Sequence, residues 1–489
     1  MRPIVSIALG VACGGGVIDT ASGQSIVREW VGTSTSSPIG HEIASLPDVD
    51  GDGVPEVAYL TVIFFSVVEV RSGATGALLY TLPSAIYEIS PLADFDGDGV
   101  AEIGTSSSHG IDVYSGVDGA LLYAIPLTVF DLVPAAASLR DLDGDGIDDL
   151  VLGVPATSPR APGPGEVKVR SGATGAALFA AIGGTTADEF GSGIAPLHDV
   201  DGDGKADCAA GAPNGLVPAL GSRVGYGRAC SGANGATLWQ FDGSASFPRM
   251  GRRLAPTGDH DGDGEDDLLV ASGGDGNGAS SGRVTIVSSA SGLEIAHFDG
   301  AAGDDIAIEL ADAGDVDGDG ARDLLLSTQA DQAWLVSGKT LSTLYTFEDV
   351  RGASTGARVA KGRDYDLDGR ADVVLSDPDV ATTGFVSIHR GNDLFLDVTP
   401  IDVTDGDAIA ATIRTGIPGN LGLLALVELN GTAVFVAVNG IVQFDATGSI
   451  AFADTVPPGL AGDTFVFQAF ALDARSKVIT SDREAVTVR

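Results

Sequence analysis

Four acidic residues recur at fixed spacing seven times along this chain. The first copy, DVDGDGVPE at 48–56, sets Asp48, Asp50 and Asp52 at alternate positions and Glu56 at the ninth. The same four positions hold Asp94, Asp96, Asp98 and Glu102; Asp141, Asp143, Asp145 and Asp149; and Asp199, Asp201, Asp203 and Asp207. They then hold Asp259, Asp261, Asp263 and Asp267; Asp315, Asp317, Asp319 and Asp323; and Asp364, Asp366, Asp368 and Asp372. Carboxylates this crowded repel one another, so each loop needs a counter-charge. Hard oxygen ligands with no His or Cys among them suit Ca²⁺ better than a transition metal. The backbone carbonyl at the seventh position (Val54, Val100, Ile147, Lys205, Glu265, Ala321, Arg370) is a further candidate ligand. Glycines at the fourth and sixth positions let the backbone turn sharply. Only the last copy departs, with Leu367 at its fourth position. An EF-hand would need a bidentate Glu at position twelve and flanking helices. Here that position falls in an apolar run such as VAYL. The reading is up to seven Ca²⁺, one per repeat, with affinities of ~10⁻⁴–10⁻³ M if they follow extracellular modules.

The copies lie 46 to 60 residues apart. After each comes a short apolar run, a second run ending in a segment such as VRSGATG (70–76), and a third, alternating run such as ALLYTL. A further run leads into the next acidic loop. Apolar runs split by Ser-Gly turns read as strands joined by hairpins. A four-stranded unit of this size cannot bury both faces alone, and stacking such units around an axis gives a propeller. The prediction is an all-β protein with a seven-bladed β-propeller over 24–392. SIVREW (25–30) aligns with the fourth strand of a repeat, so it should close the ring as the outer strand of the last blade.

The bulk properties fit that reading. The chain has 489 residues, 44% of them apolar, and a net charge of −40. Such an excess repels nucleic acid and anionic membrane surfaces. Residues 1–23 have the basic start, apolar run and small-residue end of a signal peptide. No other apolar run reaches membrane-spanning length, so the expected location is secreted or cell-surface. Beyond the signal only Cys208 and Cys230 remain. They flank the segment NGLVPALGS, and a hairpin centred there would oppose them. The expectation is a cross-strand disulfide, with two buried thiols as the alternative.

Phe190-Gly191, the D-x-D-G-D-G-x-x-D loop and GAP at 211–213 resemble FG-GAP repeats, the blades of integrin α-subunit propellers. The likeness covers about three quarters of the chain. It implies calcium at each loop, on the hairpin joining the first and second strands of a blade. It also implies a ligand-binding face on the opposite side. Members of that family include adhesion proteins and bacterial secreted proteins.

Aligning the innermost strands places His41, Glu42, Tyr87, Glu88, Arg252, Arg253, Glu309 and Arg358 at equivalent positions. They should ring the channel entrance opposite the calcium loops, either as ordinary solvated lining or as a partner surface. Catalysis has little support. The six histidines are scattered, and GASSG (278–282) lacks the strand-turn-helix that a nucleophile elbow needs. Residues 393–489 alternate apolar and polar between turns and read as a β-sandwich. The favoured function is a non-catalytic, monomeric adhesion or binding protein for an extracellular protein or glycan. The alternatives are a carbohydrate-active, lyase-like enzyme and a surface-layer scaffold.

Overall fold

The computed structural model describes residues 26–391, apart from short segments at 33–37, 63–65, 84–87, 108–109, 127–134, 157–162, 274–280, 307, 317–319, 329–331, 348–357, 368 and 379–382. Beyond 391 it describes the backbone of strands between 395 and 488. The expected signal segment 1–23, Tyr87, Asp317, Asp319 and Asp368 therefore lie outside the described residues, as does most of GASSG.

Seven four-stranded antiparallel sheets follow one another along the chain. Blade 1 runs Ile39–Leu46, Glu56–Val62, Ser66–Arg71, Leu78–Pro83, and blades 2 to 6 repeat that order. The innermost strands neighbour one another around a closed ring, with Arg358–Arg363 of blade 7 beside Ile39–Leu46. Blade 7 takes its outer strand from the N-terminal end: Ile26–Val31 pairs antiparallel with Phe385–His389. The closure expected from SIVREW is therefore present. The added strand even carries a bulge near its start, as the third-to-fourth strand pairings of blades 1 to 6 do near their turns.

The core lies between blades. Successive side chains of a strand point to opposite faces. In the second strand of blade 1, Ala58 and Leu60 pack with Ile89 and Ile103 of blade 2. Val57 and Tyr59 pack instead with Val374 and Ile388 of blade 7. The same sharing recurs at each of the other blade boundaries. Second strands are therefore buried on both faces, which is why Leu268–Ser272 reads as an unbroken apolar run. The glycines of the FG and GAP segments allow close packing. A Cβ on Gly211 would stand 1.9 Å from the carbonyl oxygen of Gly251, in the next blade.

The C-terminal strands form a three-stranded sheet (Phe395–Thr399, Ala408–Arg414, Ile450–Thr455) and a second sheet built on Leu421–Leu429, Thr464–Leu472 and Val478–Val488. Apart from Leu424, which is buried, the side chains that would fill the expected sandwich lie outside the described residues.

Candidate cation loops and channel mouth

Each acidic loop lies between the first and second strands of its blade. In the first five loops the opening aspartate accepts hydrogen bonds from the amides of both loop glycines, at 2.6–2.9 Å. Asp50 Oδ1 accepts from Asp52 N and Asp52 Oδ1 from Val54 N, holding the backbone in a tight spiral. Gly51 has φ 81°, and Leu367 keeps the same turn at φ 59°. That strains a residue with a Cβ by about 1–2 kcal/mol. The carboxylates converge: ligand oxygens of Asp48, Asp50, Asp52 and Glu56 lie within 4.8 Å of one another, as do those of Asp94, Asp96, Asp98 and Glu102. Asp141, Asp143 and Asp149 form a similar group, and so do Asp199, Asp201 and Asp203, and Asp259, Asp261 and Asp263. Such groups could hold a metal ion.

The ninth position also makes backbone contacts, beside its place in the ligand groups of blades 1 to 3. Where it is Asp, both oxygens accept backbone amides. Asp207 Oδ2 takes Val200 N at 2.8 Å and Oδ1 takes Gly232 N at 2.7 Å. Asp149, Asp267, Asp323 and Asp372 repeat the pattern. In these blades the ninth residue staples the acidic loop to the following Ser-Gly turn. Where it is Glu, one oxygen accepts an amide at 2.6 Å, from Val49 to Glu56 and from Phe95 to Glu102. The other oxygen, Oε1, is buried with no hydrogen-bond partner. Burial, reinforced by the neighbouring aspartates against one backbone hydrogen bond, pushes Glu56 up to about 8 and Glu102 up to about 7. A bound cation would supply the charge these oxygens lack, so the residues fit one.

The Ser-Gly turn, a plain hairpin signal in the sequence, has a second duty. A Cβ on Gly73 would stand 2.0 Å from the carbonyl oxygen of Pro55, and one on Gly172 would stand 1.9 Å from that of Asp148. Glycine there lets the turn lie against the acidic loop. Blade 5 has Ser289 instead, and its bond to Asp267 is 3.2 Å. Blade 7 departs differently: Arg390 Nε bonds Asp366 Oδ2 at 2.7 Å, bringing a guanidinium to the loop.

At the opposite end of the inner strands the predicted ring residues do meet. Glu309 accepts from Arg253 at 3.0 Å and from Arg358 at 2.5 Å, and Arg358 lies 3.8 Å from Glu42. The network therefore spans blades 5, 6, 7 and 1. These groups are enclosed but reach solvent through the channel; the side chains of Glu309, Glu42 and Arg358 are 19%, 25% and 29% exposed. Burial works against ionisation of Glu309, but the two guanidinia outweigh it and hold its carboxyl below the usual range. Burial dominates at Glu42, which is pushed up to about 7, and it raises Glu88 well above its ordinary value. His41 is lowered by burial and by Arg358. Arg252 lies beside this group and feels Asp305, Arg253, Glu309 and Arg249. Arg249 and Asp305 were not picked out in the sequence. Both precede an FG-type position in left-handed backbone, at φ 61° and 39°, as Glu189 does before Phe190 at φ 61°.

Cys208 and Cys230 are direct cross-strand partners, joined through the hairpin extension Leu216–Val217 and Ser222–Arg223. The expected disulfide is not formed; both are free, buried thiols. They sit in the core between blades 3 and 4, where burial raises both thiols, Cys230 to about 11.

The profile of the FG-GAP repeat matches residues 133–169, which hold the inner strand and acidic loop of blade 3. Integrin alpha-V of Gallus gallus is 32% identical over 143 residues, covering 28% of this chain and 13% of that protein's length. A solved structure titled as BBS1N in complex with ARL6DN, soaked with lead, superposes on 74% of this chain and 96% of its own, with a TM-score of 0.49 at 10% identity. Ring closure and seven four-stranded sheets together define a seven-bladed β-propeller. More closely, blade 3 carries an FG-GAP repeat, and part of the chain is similar to an integrin α-chain. Among the described residues, no helix is long and apolar enough to cross a membrane.

Proposed function

We propose that this protein is exported and calcium-stabilised, and that it binds an extracellular protein or glycan, without catalysis, at its channel mouth. The observation that carries the reading is the network of Arg253, Glu309, Arg358 and Glu42. It gathers charge from four blades on the face away from the cation loops. Cations would serve the opposite face as structural ties, because the loops offer oxygen ligands alone. The likeness to an integrin α-chain favours a binding role over a catalytic one.

The test is surface plasmon resonance with the full chain immobilised in calcium, against a panel of extracellular proteins and acidic glycans. Arg252→Glu with Arg253→Glu should weaken binding at least tenfold while circular dichroism stays unchanged. Equal binding by the variant would move the ligand off the mouth. Appearance of unsaturated-product absorbance with a glycan would replace the reading with a lyase.

A further inference from the structure

We infer that the cation loops are of two kinds, set by whether the ninth residue is Glu or Asp. On this inference blades 1 and 2 hold the tight, structurally required cations. It rests on the reading of the loops as calcium sites and deepens it.

The two acids differ by one methylene, and that changes what the second oxygen meets. Asp149, Asp207, Asp267, Asp323 and Asp372 each join the loop to the Ser-Gly turn through amides on both oxygens. Blades 3 to 7 are tied at this point before any cation arrives. In blades 1 and 2 the longer side chain still takes the amide of the loop's second residue. Its other oxygen, however, ends buried without a donor, in residues only 0% and 1% exposed. A buried carboxylate oxygen left without a partner is costly. The same glutamates lie in the groups of converging carboxylates, so each unmet oxygen belongs to a carboxylate that joins the other ligands. In blade 3 the group is Asp141, Asp143 and Asp149, and in blades 4 and 5 it is the first three aspartates, so each has one carboxylate fewer than blades 1 and 2. Affinity rises with the number of charged ligands. Blades 1 and 2 therefore have more converging ligand charge than blades 3 to 5, and they are also the blades with an unmet need for it.

Calorimetric titration of the metal-free full chain with Ca²⁺ should resolve two sites at least tenfold tighter than the remainder. Glu56→Asp with Glu102→Asp should abolish the tight class and leave the weak one. Hydrogen exchange of the unaltered protein after chelation should lose protection first in Glu56–Arg71 and Ile103–Tyr114, before the matching strands of blades 3 to 5. This arm keeps the test open if the double variant does not fold. A single class of equivalent sites, or uniform loss of protection, would overturn the inference and leave the calcium reading intact. No calcium binding at all would overturn both.

Discussion

Glu42 shows what a single side chain can reveal at the channel mouth. Its carboxyl is pushed up to about 7 from an ordinary 4.5, chiefly by burial, then by Glu309 against the pull of Arg358. The folded protein therefore holds this proton more tightly than the unfolded chain does. The stability this contributes is complete below pH ~4.5 and is lost as pH rises through about 7. Glu42→Gln removes that loss. With saturating calcium, the variant should melt above the parent at pH 8 and match it at pH 4.5; a lower melting temperature at pH 8 would contradict the assignment. Equivalent positions on the inner strands were legible in the sequence, because the acidic loops fix the register of each repeat. The pairing was not, since a linear alignment carries no channel radius. Only the closed ring shows Glu309 taking two arginines while Glu42 has one at 3.8 Å. Likewise Glu56 and Asp149 read alike as acids in the same slot. Their difference is one of reach, and it appears only once the Ser-Gly turn lies against the loop.

At the scale of the element, the outer strands of blades 1, 2, 4 and 7 do more than finish their sheets. Tyr123 in the fourth strand of blade 2 donates to the carbonyl of Gly172 in the next blade's turn at 2.6 Å. Trp239 of blade 4 does the same to Ser289 at 2.9 Å, and Tyr80 of blade 1 to Gly116. The closing strand follows suit: Arg28 donates to Gly73 at 2.8 Å and also to Ala74, and Trp30 to Gly76 at 3.1 Å. The repeat pattern was enough to identify SIVREW as an outer strand. It could not show that Arg28 replaces a tyrosine, because the two share no chemistry beyond donating a hydrogen bond. A charged donor to two carbonyls contributes about 1.5–3 kcal/mol. Arg28→Ala should therefore lower stability by about that amount in denaturant unfolding. It should also raise proteolytic cleavage near Ile26–Val31 before the rest of the ring opens. Unfolding indistinguishable from the parent would show that the hook is idle.

For the whole molecule, the net charge of −40 sets the terms. Cations bound at the loops would offset part of the self-repulsion and stabilise the ring by mass action. Each occupied site would add about 1.4 kcal/mol with calcium tenfold above its Kd. Thorough chelation should lower the melting temperature, and more so at low ionic strength, where repulsion is least screened. An unchanged melting temperature would remove the cations from the stability of the fold. The seam between blades 7 and 1 adds a matter of timing. Ile26–Val31 is synthesised before the other strands of the ring, and its partner Phe385–His389 comes some 360 residues later. At about 5–20 residues per second, roughly 20–70 s pass between the two. Throughout that interval the opening strand has no mate, and six blades can assemble while the circle stays open. A newborn chain must therefore keep one β-edge from foreign partners until its own last blade arrives.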